Sequence, residues 1–183
     1  NYNYYLLCMN DFFTKTDLSR KDAESIISET LNSCDDGELY LENSKSESIV
    51  LDDDKIKSSS YSSDLGYGLR AVTGEVVAYS HSNEISKKSL KQSASNLSST
   101  LKSQKGIYNH EIPQTNEKFY KDVNPIEEKL LQSKLDLLKE VNNYTRAKGG
   151  MVQQVTASFA GEHKSIEIIR SGGEVLTDVR PLI

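Results

Sequence analysis

The sequence predicts an α+β fold: a mainly antiparallel sheet with flanking helices. Apolar residues recur at helical spacing in three segments, and they alternate with polar residues in several short runs. Most links between these runs are too short for the crossover that parallel strands need. The stretch 64–81, DLGYGLRAVTGEVVAYSH, shows the pattern best, since runs at 67–72 and 75–79 flank a break at Thr73-Gly74. Such a break predicts a β-hairpin.

The first 37 residues predict two helices. Residues 4–13 should form a short one, and Ser19 should cap a longer one that ends at Asp35-Asp36-Gly37. Its buried face is predicted to contain Ala23, Ile26, Ile27, Thr30, Leu31 and Cys34. We therefore divide the chain into an N-terminal helical extension at 1–16 and an α+β domain at 17–183, which we expect to be incomplete at its C-terminus.

Five strands and a further helix should follow. The predicted strands are 38–43, 46–51, 56–61, 67–72 and 75–79, with a turn at Asp52-Asp53-Asp54-Lys55. Ser82 or Asn83 is expected to cap the next helix, which ends at Gly106. Its apolar residues are Leu90, Ala94, Leu97 and Leu101.

The last third of the chain predicts a loop, a long helix and a meander of strands. Residues 105–124 show no periodicity and should form a surface loop. Asn124-Pro125 should begin the helix, and Lys148-Gly149-Gly150 should end it. Its predicted apolar face contains Leu130, Leu131, Leu135, Leu137, Leu138, Val141 and Tyr144. The predicted final strands are 151–160, 165–170 and 175–182.

Composition narrows the class of protein. The net charge is −5 and the sequence pI is near 5.3, which argues against a nucleic-acid-binding module. No apolar run approaches the length of a membrane-spanning helix, and the first residues lack the features of a secretory signal. We expect a cytoplasmic protein in which Cys8 and Cys34 are reduced and packed.

Several short patterns resemble functional sites, but each lacks a necessary part. Gly66–Ala71 matches G-x-G-x-x-[GA], yet a hairpin follows instead of the helix of a dinucleotide site. His110-Glu111 begins like a zinc motif, but neither it nor His81 or His163 has a second ligand at the required spacing. Asp52–Asp54 lacks the distal ligands of a calcium loop, so a solvated turn is favoured. No G-x-S-x-G marks a serine nucleophile.

Five residues of the strands are candidates for contact with a substrate or partner. Arg70 and Arg180 occupy otherwise apolar places, where each either pairs with a carboxylate of this domain or faces a ligand. Tyr67 either stacks on a ligand or packs across strands. Gly66 and Gly68 leave backbone without side chains, which favours a bulge or the close approach of another backbone.

Seven short motifs occur in order along the chain. They are GELY at 37–40, IVLDD at 49–53, GYGLRAVTGE at 66–75, EIS at 84–86, VNP at 123–125, VTAS at 155–158 and DVRPL at 178–182. Their order and spacing, over about residues 11–183, resemble the N-terminal domain of the TldD branch of the TldD/PmbA family, also called modulators of DNA gyrase. The resemblance implies a cytoplasmic zinc metallopeptidase that cleaves unfolded peptides together with a TldE/PmbA paralogue.

The resemblance also implies where zinc binds: an H-E-x-x-x-H helix and a downstream cysteine, both in a C-terminal domain. This sequence contains no H-E-x-x-x-H, and Cys8 and Cys34 lie far upstream of the expected ligand. We therefore expect no catalytic residue, metal ligand or cofactor in this chain, and neither nucleic acid nor membrane as a partner. The expected function is a non-catalytic domain that shapes the peptide cleft and contacts the paralogue. The alternative is a stand-alone interaction module or an inactive remnant of a split gene.

Overall fold

The computed structural model describes residues 12–14, 16–101 and 117–183. Most of the predicted helix at 4–13 and of the predicted loop at 105–124 lies outside the described residues, as do Cys8, Gly106 and His110. Phe12 and Phe13 lie in a turn and are buried.

The described residues form four helices and five strands. The helices are α1 (Arg20–Leu31), α2 (Lys87–Leu101), α3 (Pro125–Glu128) and α4 (Leu131–Arg146). The strands are β1 (Asp36–Asp52), β2 (Lys55–Thr73), β3 (Val76–Ser82), β4 (Thr156–Arg170) and β5 (Val175–Leu182). They form one antiparallel sheet in the order β3-β2-β1-β4-β5. The predicted α+β class is confirmed.

Two-residue turns join the first three strands. Asp53 and Asp54 both have positive φ, 47° and 65°, which is the requirement of a type I′ turn. The turn predicted there is confirmed. At the second turn, Gly74 has φ 59°, and Thr73 pairs with Val76. The turn is therefore Gly74-Glu75, one residue later than the predicted break.

β1 and β2 are continuous where the sequence predicts two strands each. β1 passes through residues 44 and 45, and β2 passes through residues 62–66. Residues 55–65 are exposed along their whole length, and residues 62–66 show no alternation of apolar and polar side chains that would mark them as strand. The hydroxyl groups of Ser46 and Ser62 are 2.8 Å apart across the two strands. Backbone pairing continues where the hydrophobic pattern stops.

β4 is likewise one strand instead of two. It begins at Thr156, so the strand predicted from residue 151 starts later, and it continues through the predicted turn at Gly161–Lys164. A Cβ at Gly161 would lie 3.3 Å from the Ile126 side chain. This glycine therefore allows close packing and does not mark a turn.

The two long helices of the first half begin with serine caps. The Oγ of Ser19 accepts a hydrogen bond from the Asp22 amide at 3.1 Å, as predicted for α1. For α2 the predicted caps, Ser82 and Asn83, are wrong. Ser86 Oγ accepts from the Ser89 amide at 3.1 Å, because Ser82 still belongs to β3.

The predicted long helix after Asn124 is two helices. Lys129 has an extended conformation, and the Ile126 carbonyl oxygen accepts a hydrogen bond from Lys134 Nζ at 2.6 Å. The predicted apolar face of α4 is right only in part: Leu138 is buried and Leu135 packs against the same buried cluster, but the other buried residues of the helix are Lys134 and Asn142. Of the predicted face, Leu130, Leu131, Leu137, Val141 and Tyr144 are exposed.

The chain divides into two compact units. Unit one contains the described residues up to Asn43, those from Asp64 to Lys118 and those from Ser165 to Asp178. α1 and α2 pack against each other, and α2 packs against β3. Large side chains that are fully buried in this core are Leu18, Ile27, Leu31, Leu39, Leu41, Leu69, Leu90, Leu97 and Ile169. Cys34 is a free thiol packed against this core.

Unit two contains Ser44–Ser63, Phe119–Lys164 and Val179–Ile183. Its small core consists of Ile49, Leu51, Leu138 and Ala157, with Leu135 and Phe159 packed against it. Among the residues that the structure describes, no helix is long and apolar enough to cross a membrane.

Candidate functional site

The sheet of unit one has a face opposite its core. Leu39, Leu41, Leu69 and Ala71 are buried in the core, so the residues that alternate with them lie on the opposite face. On β2 that face carries Gly66, Gly68 and Arg70. On β1 it carries Glu38, Tyr40 and Glu42, and on β3 it carries Val77, Tyr79 and His81.

This face contains an open pocket of about 260 Å³. Its lining includes Tyr40, Glu42, Gly68, Tyr79 and His81. Gly68 and His81 are directly opposite each other in the pairing of β2 with β3. The rings of Tyr79 and His81 stack, with centroids 5.9 Å apart and an interplanar angle of 25°. One wall of the pocket is therefore aromatic, and its floor is the backbone of β2.

The two glycines of the pocket have different neighbours. A Cβ at Gly66 would lie 2.8 Å from the carbonyl oxygen of Ser82, so another backbone approaches closely there. A Cβ at Gly68 would lie 2.4 Å from the hydroxyl oxygen of Tyr79. The Tyr79 ring thus lies across Gly68, which leaves room for it because it has no side chain.

The pocket carries negative charge. Glu42 and Asp64 line it, and its lining contains neither lysine nor arginine. The Tyr40 hydroxyl donates to Glu42 Oε2 at 2.5 Å. Neither Glu42 nor Asp64 forms an ion pair with another described residue.

Tyr67, a predicted contact residue, borders the pocket but is only 5% exposed. Its hydroxyl group lies 2.9 Å from Ser89 Oγ and 3.0 Å from Ser93 Oγ, both on α2. The phenol therefore joins β2 to α2 on the core side. Contact between Tyr67 and a ligand stays a prediction.

Arg70, the second predicted contact residue, pairs with carboxylates of its own unit. It donates to both oxygens of Glu38, at 2.8 and 2.7 Å, and to Asp36 Oδ2 at 2.5 Å. The hydrogen bonds to Glu38, and then those to Asp36, raise the pKa of Arg70 above its ordinary value, although burial opposes them. Of the two alternatives for Arg70, the geometry shows the pairing within the domain.

The structure brings four of the five predicted contact residues together. Gly66, Tyr67, Gly68 and Arg70 are near neighbours on β2 in unit one, whereas Arg180 is an exposed residue of β5 in unit two. Sequence reasoning did not select Tyr40, Glu42, Asp64 or His81 as site residues. Tyr40 and Glu42 alternate with the buried Leu39 and Leu41, but the sequence does not reveal which residues of β2 they lie beside.

Zinc needs three or four nitrogen, sulfur or oxygen ligands that converge on one point. Within residues 12–14, 16–101 and 117–183, no group of three His, Cys, Asp or Glu side chains is placed to hold a metal ion. These residues do not fit the zinc site that the family resemblance implies. We therefore assign no metal-dependent step to this part of the chain.

Unit two has a second exposed surface. A groove of about 410 Å³ runs between α4 and the start of β4. Leu137 and Val141 of α4 line it, together with Ala157 and Phe159 of β4. Leu137 and Val141 are 50% and 43% exposed. This apolar groove, continued by the exposed side chains of α4, is a candidate protein-contact surface.

Known proteins resemble this chain in sequence. Residues 37–100 match the family described as PmbA/TldA metallopeptidase domain 1. The chain is 34% identical, over 81% of its length, to a "Metalloprotease TldD homolog" of Buchnera aphidicola from Acyrthosiphon pisum, of which the match covers 31%. It is 31% identical, over 81% of its length, to a protein of the same name from Haemophilus influenzae, of which the match covers 32%. The chain spans about a third of the length of the curated relatives it matches.

Solved structures share the fold. A protein from Thermotoga maritima described as a modulator of DNA gyrase has a TM-score of 0.67 at 15% identity, and the match covers 88% of this chain and 36% of that one. TldE from Thermococcus kodakarensis has a TM-score of 0.61 at 14% identity, and the match covers 86% of this chain and 37% of that one.

Proposed function

Because this chain contains the first domain of the PmbA/TldD metallopeptidase family, we propose that it is a non-catalytic part of a TldD-type metalloprotease. It forms a wall of the cleft that receives extended, unfolded peptides, and it contacts a TldE/PmbA-type paralogue. It works in the cytoplasm, and zinc and the catalytic residues are supplied by a further domain.

The observation that supports peptide capture most directly is the edge position of β3. Among the described strands, in the order β3-β2-β1-β4-β5, β3 is at one end of the sheet and pairs with β2. An edge strand presents N–H and C=O groups that an added strand can pair with. Such pairing gives affinity for a peptide backbone without demanding a particular sequence. This property suits a protease of unfolded peptides.

The test uses an unstructured peptide of about ten residues, long enough for one strand. Two matched derivatives carry the same number of N-methyl groups, one on alternate backbone amides and the other on consecutive central amides. If the peptide adds a strand to β3, the alternately methylated derivative keeps its affinity, because one edge of it is still free to pair, and the consecutively methylated derivative loses affinity, because both of its edges are blocked. Equal affinities of both derivatives, or no peptide binding at all, would contradict peptide capture at an edge.

Hydrolysis provides an independent test. With added zinc, this chain alone should not cleave the same peptide, because the described residues do not fit a zinc site. Turnover that requires zinc and is abolished by a chelator would show that the chain is itself a catalyst.

The exposed apolar side chains of α4 favour contact with another protein. A stand-alone interaction module would also have such a surface. Leu137→Glu and Val141→Glu should abolish binding of the paralogue from the same genome, measured by titration calorimetry with purified proteins. Lys139→Glu, on an exposed part of the same helix, is the control and should leave binding unchanged. If the chain instead forms a defined homo-oligomer that only the groove variants dissociate, the stand-alone module is the better description.

A further inference from the structure

We infer that the pocket beside Gly66 and Gly68 binds a lysine or arginine side chain of an extended peptide. This inference rests on the proposed function, because it assumes that a peptide lies along β3. It adds a substrate preference, for a basic residue at one position.

Unpaired negative charge is the first reason. On the same face of the sheet, Asp36 and Glu38 both form ion pairs with Arg70. Glu42 and Asp64, which line the pocket, have no cation among the described residues. Two carboxylates at an open pocket whose lining contains neither lysine nor arginine favour a positively charged ligand and disfavour an anionic one.

The aromatic lining is the second reason. Tyr40 and Tyr79 contribute aromatic rings to the same pocket. Tyr79 is 64% exposed and is held across Gly68, where its ring stacks with His81. Ammonium and guanidinium groups are attracted to the faces of such rings, and the stems of lysine and arginine pack on apolar surface. A pocket with tyrosine rings and carboxylates can therefore contact both the apolar stem and the charged end of a lysine or arginine side chain.

Size and position are the third reason. The pocket's volume of about 260 Å³ is below the range of about 300–1,000 Å³ that is usual for small-molecule sites, so it suits one side chain better than a whole cofactor. His81 and Tyr79 belong to β3, the edge strand. Alternate side chains of a strand added to β3 would lie on the face that contains the pocket.

The experiment compares peptides that differ at one central residue, which is arginine, lysine or citrulline. Citrulline has nearly the shape of arginine but no charge. Binding to the chain is measured by fluorescence anisotropy at low and at high salt. We expect the arginine or lysine peptide to bind about tenfold more tightly than the citrulline peptide, which corresponds to about one hydrogen bond between charged groups. High salt should reduce this difference.

Variants of the chain locate the effect. Glu42→Gln together with Asp64→Asn should remove the preference for the basic peptides and leave the affinity for the citrulline peptide unchanged. Glu75→Gln, an exposed carboxylate in the β2–β3 turn outside the pocket, is the matched control and should keep the preference. Retention of the preference in the double variant would overturn the inference.

The outcomes separate the inference from the proposed function. If all three peptides bind equally well to the wild-type chain, the inference is wrong and peptide capture stands. If none binds, peptide capture itself is wrong, and the inference is overturned with it.

Discussion

Arg70 donates two hydrogen bonds to Glu38, from Nε to Oε1 at 2.8 Å and from Nη2 to Oε2 at 2.7 Å. This bidentate pair joins β2 to β1, and Asp36 adds a third hydrogen bond from the same strand. Planar pairing of this kind holds both side chains in fixed positions. It explains why an arginine occurs in a strand whose core-facing neighbours are apolar.

We therefore expect Arg70→Met to lower the free energy of unfolding by about 1–3 kcal/mol, because it leaves two carboxylates side by side without a cation. Arg70→Lys should lower the free energy of unfolding by less, because it keeps the positive charge, although lysine cannot form the bidentate pair with Glu38. Urea unfolding measures both. Arg146→Met is the control: it removes an exposed pair with Asp53, worth at most about 1 kcal/mol. Should Arg70→Met leave stability unchanged and weaken peptide binding, Arg70 would be a ligand contact.

The two pocket glycines should respond differently to the same substitution. Gly66→Ala places a methyl group 2.8 Å from the Ser82 carbonyl oxygen, which is backbone and cannot move without distorting the pairing of β2 with β3. Gly68→Ala meets the hydroxyl end of Tyr79, which can rotate away. We expect Gly66→Ala to cost about 2 kcal/mol or more, and Gly68→Ala less than about 1 kcal/mol.

Thermal and urea unfolding of the two alanine variants measure this difference, and each serves as the other's control. Tyr79→Ala should make Gly68→Ala nearly neutral, because the contact that opposes it is gone. A larger cost at Gly68 than at Gly66 would contradict the geometry described for the pocket.

The buried charge of unit two gives a third prediction. Lys134 is 5% exposed, and its Nζ pairs with Glu47 and also donates to the Ile126 carbonyl oxygen. Lys134→Met should lower the free energy of unfolding by about 3 kcal/mol, because the Glu47 side chain, only 12% exposed, then loses its cation. Lys134→Met combined with Glu47→Leu should recover part of this loss, since no buried charge remains.

A double-mutant cycle of the two residues, measured by urea unfolding, gives their coupling free energy. Lys139→Met removes an exposed lysine from the same helix and should change stability by no more than about 0.5 kcal/mol. If the cycle gave additive effects, Lys134 and Glu47 would not form the pair described here.

Local chemistry explains which parts of the fold the sequence predicts. The Ser19 cap and the turn at Asp53-Asp54 depend on neighbouring residues, so they can be read from the sequence. At the break between α3 and α4, Lys134 donates to the Ile126 carbonyl oxygen, a contact that the helical periodicity does not reveal. Residues 62–66 carry no apolar alternation, so the sequence does not show that the strand predicted at 56–61 continues into the strand predicted at 67–72.

The candidate site could be predicted only in part, because most of it depends on contacts between residues that are distant in the sequence. The glycines of β2 mark a stretch of bare backbone from sequence alone, and the ordered motifs indicate the family. The other pocket residues come from β1 and β3, and their position beside Gly66 and Gly68 depends on strand register. The sequence does not determine that register, because shifting a strand by one residue exchanges its two faces.

His163 should make the stability of unit two depend on pH. Its side chain is buried, and its Nε2 has no hydrogen-bond partner among the described residues. Burial lowers the pKa of His163 below its ordinary value of 6.5, because the imidazolium would lose its hydration. Lys45 adds to this lowering of the pKa, whereas the carboxylates of Asp122 and Glu127 oppose it.

As the pH falls below about 6.5, the unfolded chain takes up this proton before the folded chain does, so the free energy of unfolding decreases until the folded pKa is passed. Urea unfolding near pH 7.5 and near pH 5.5 should therefore show a loss of stability in the wild type that is smaller in His163→Gln. His81→Gln, which changes an exposed histidine, is the control and should keep the full loss. An unchanged loss in His163→Gln would mean that other groups, such as the paired carboxylates, cause the pH dependence.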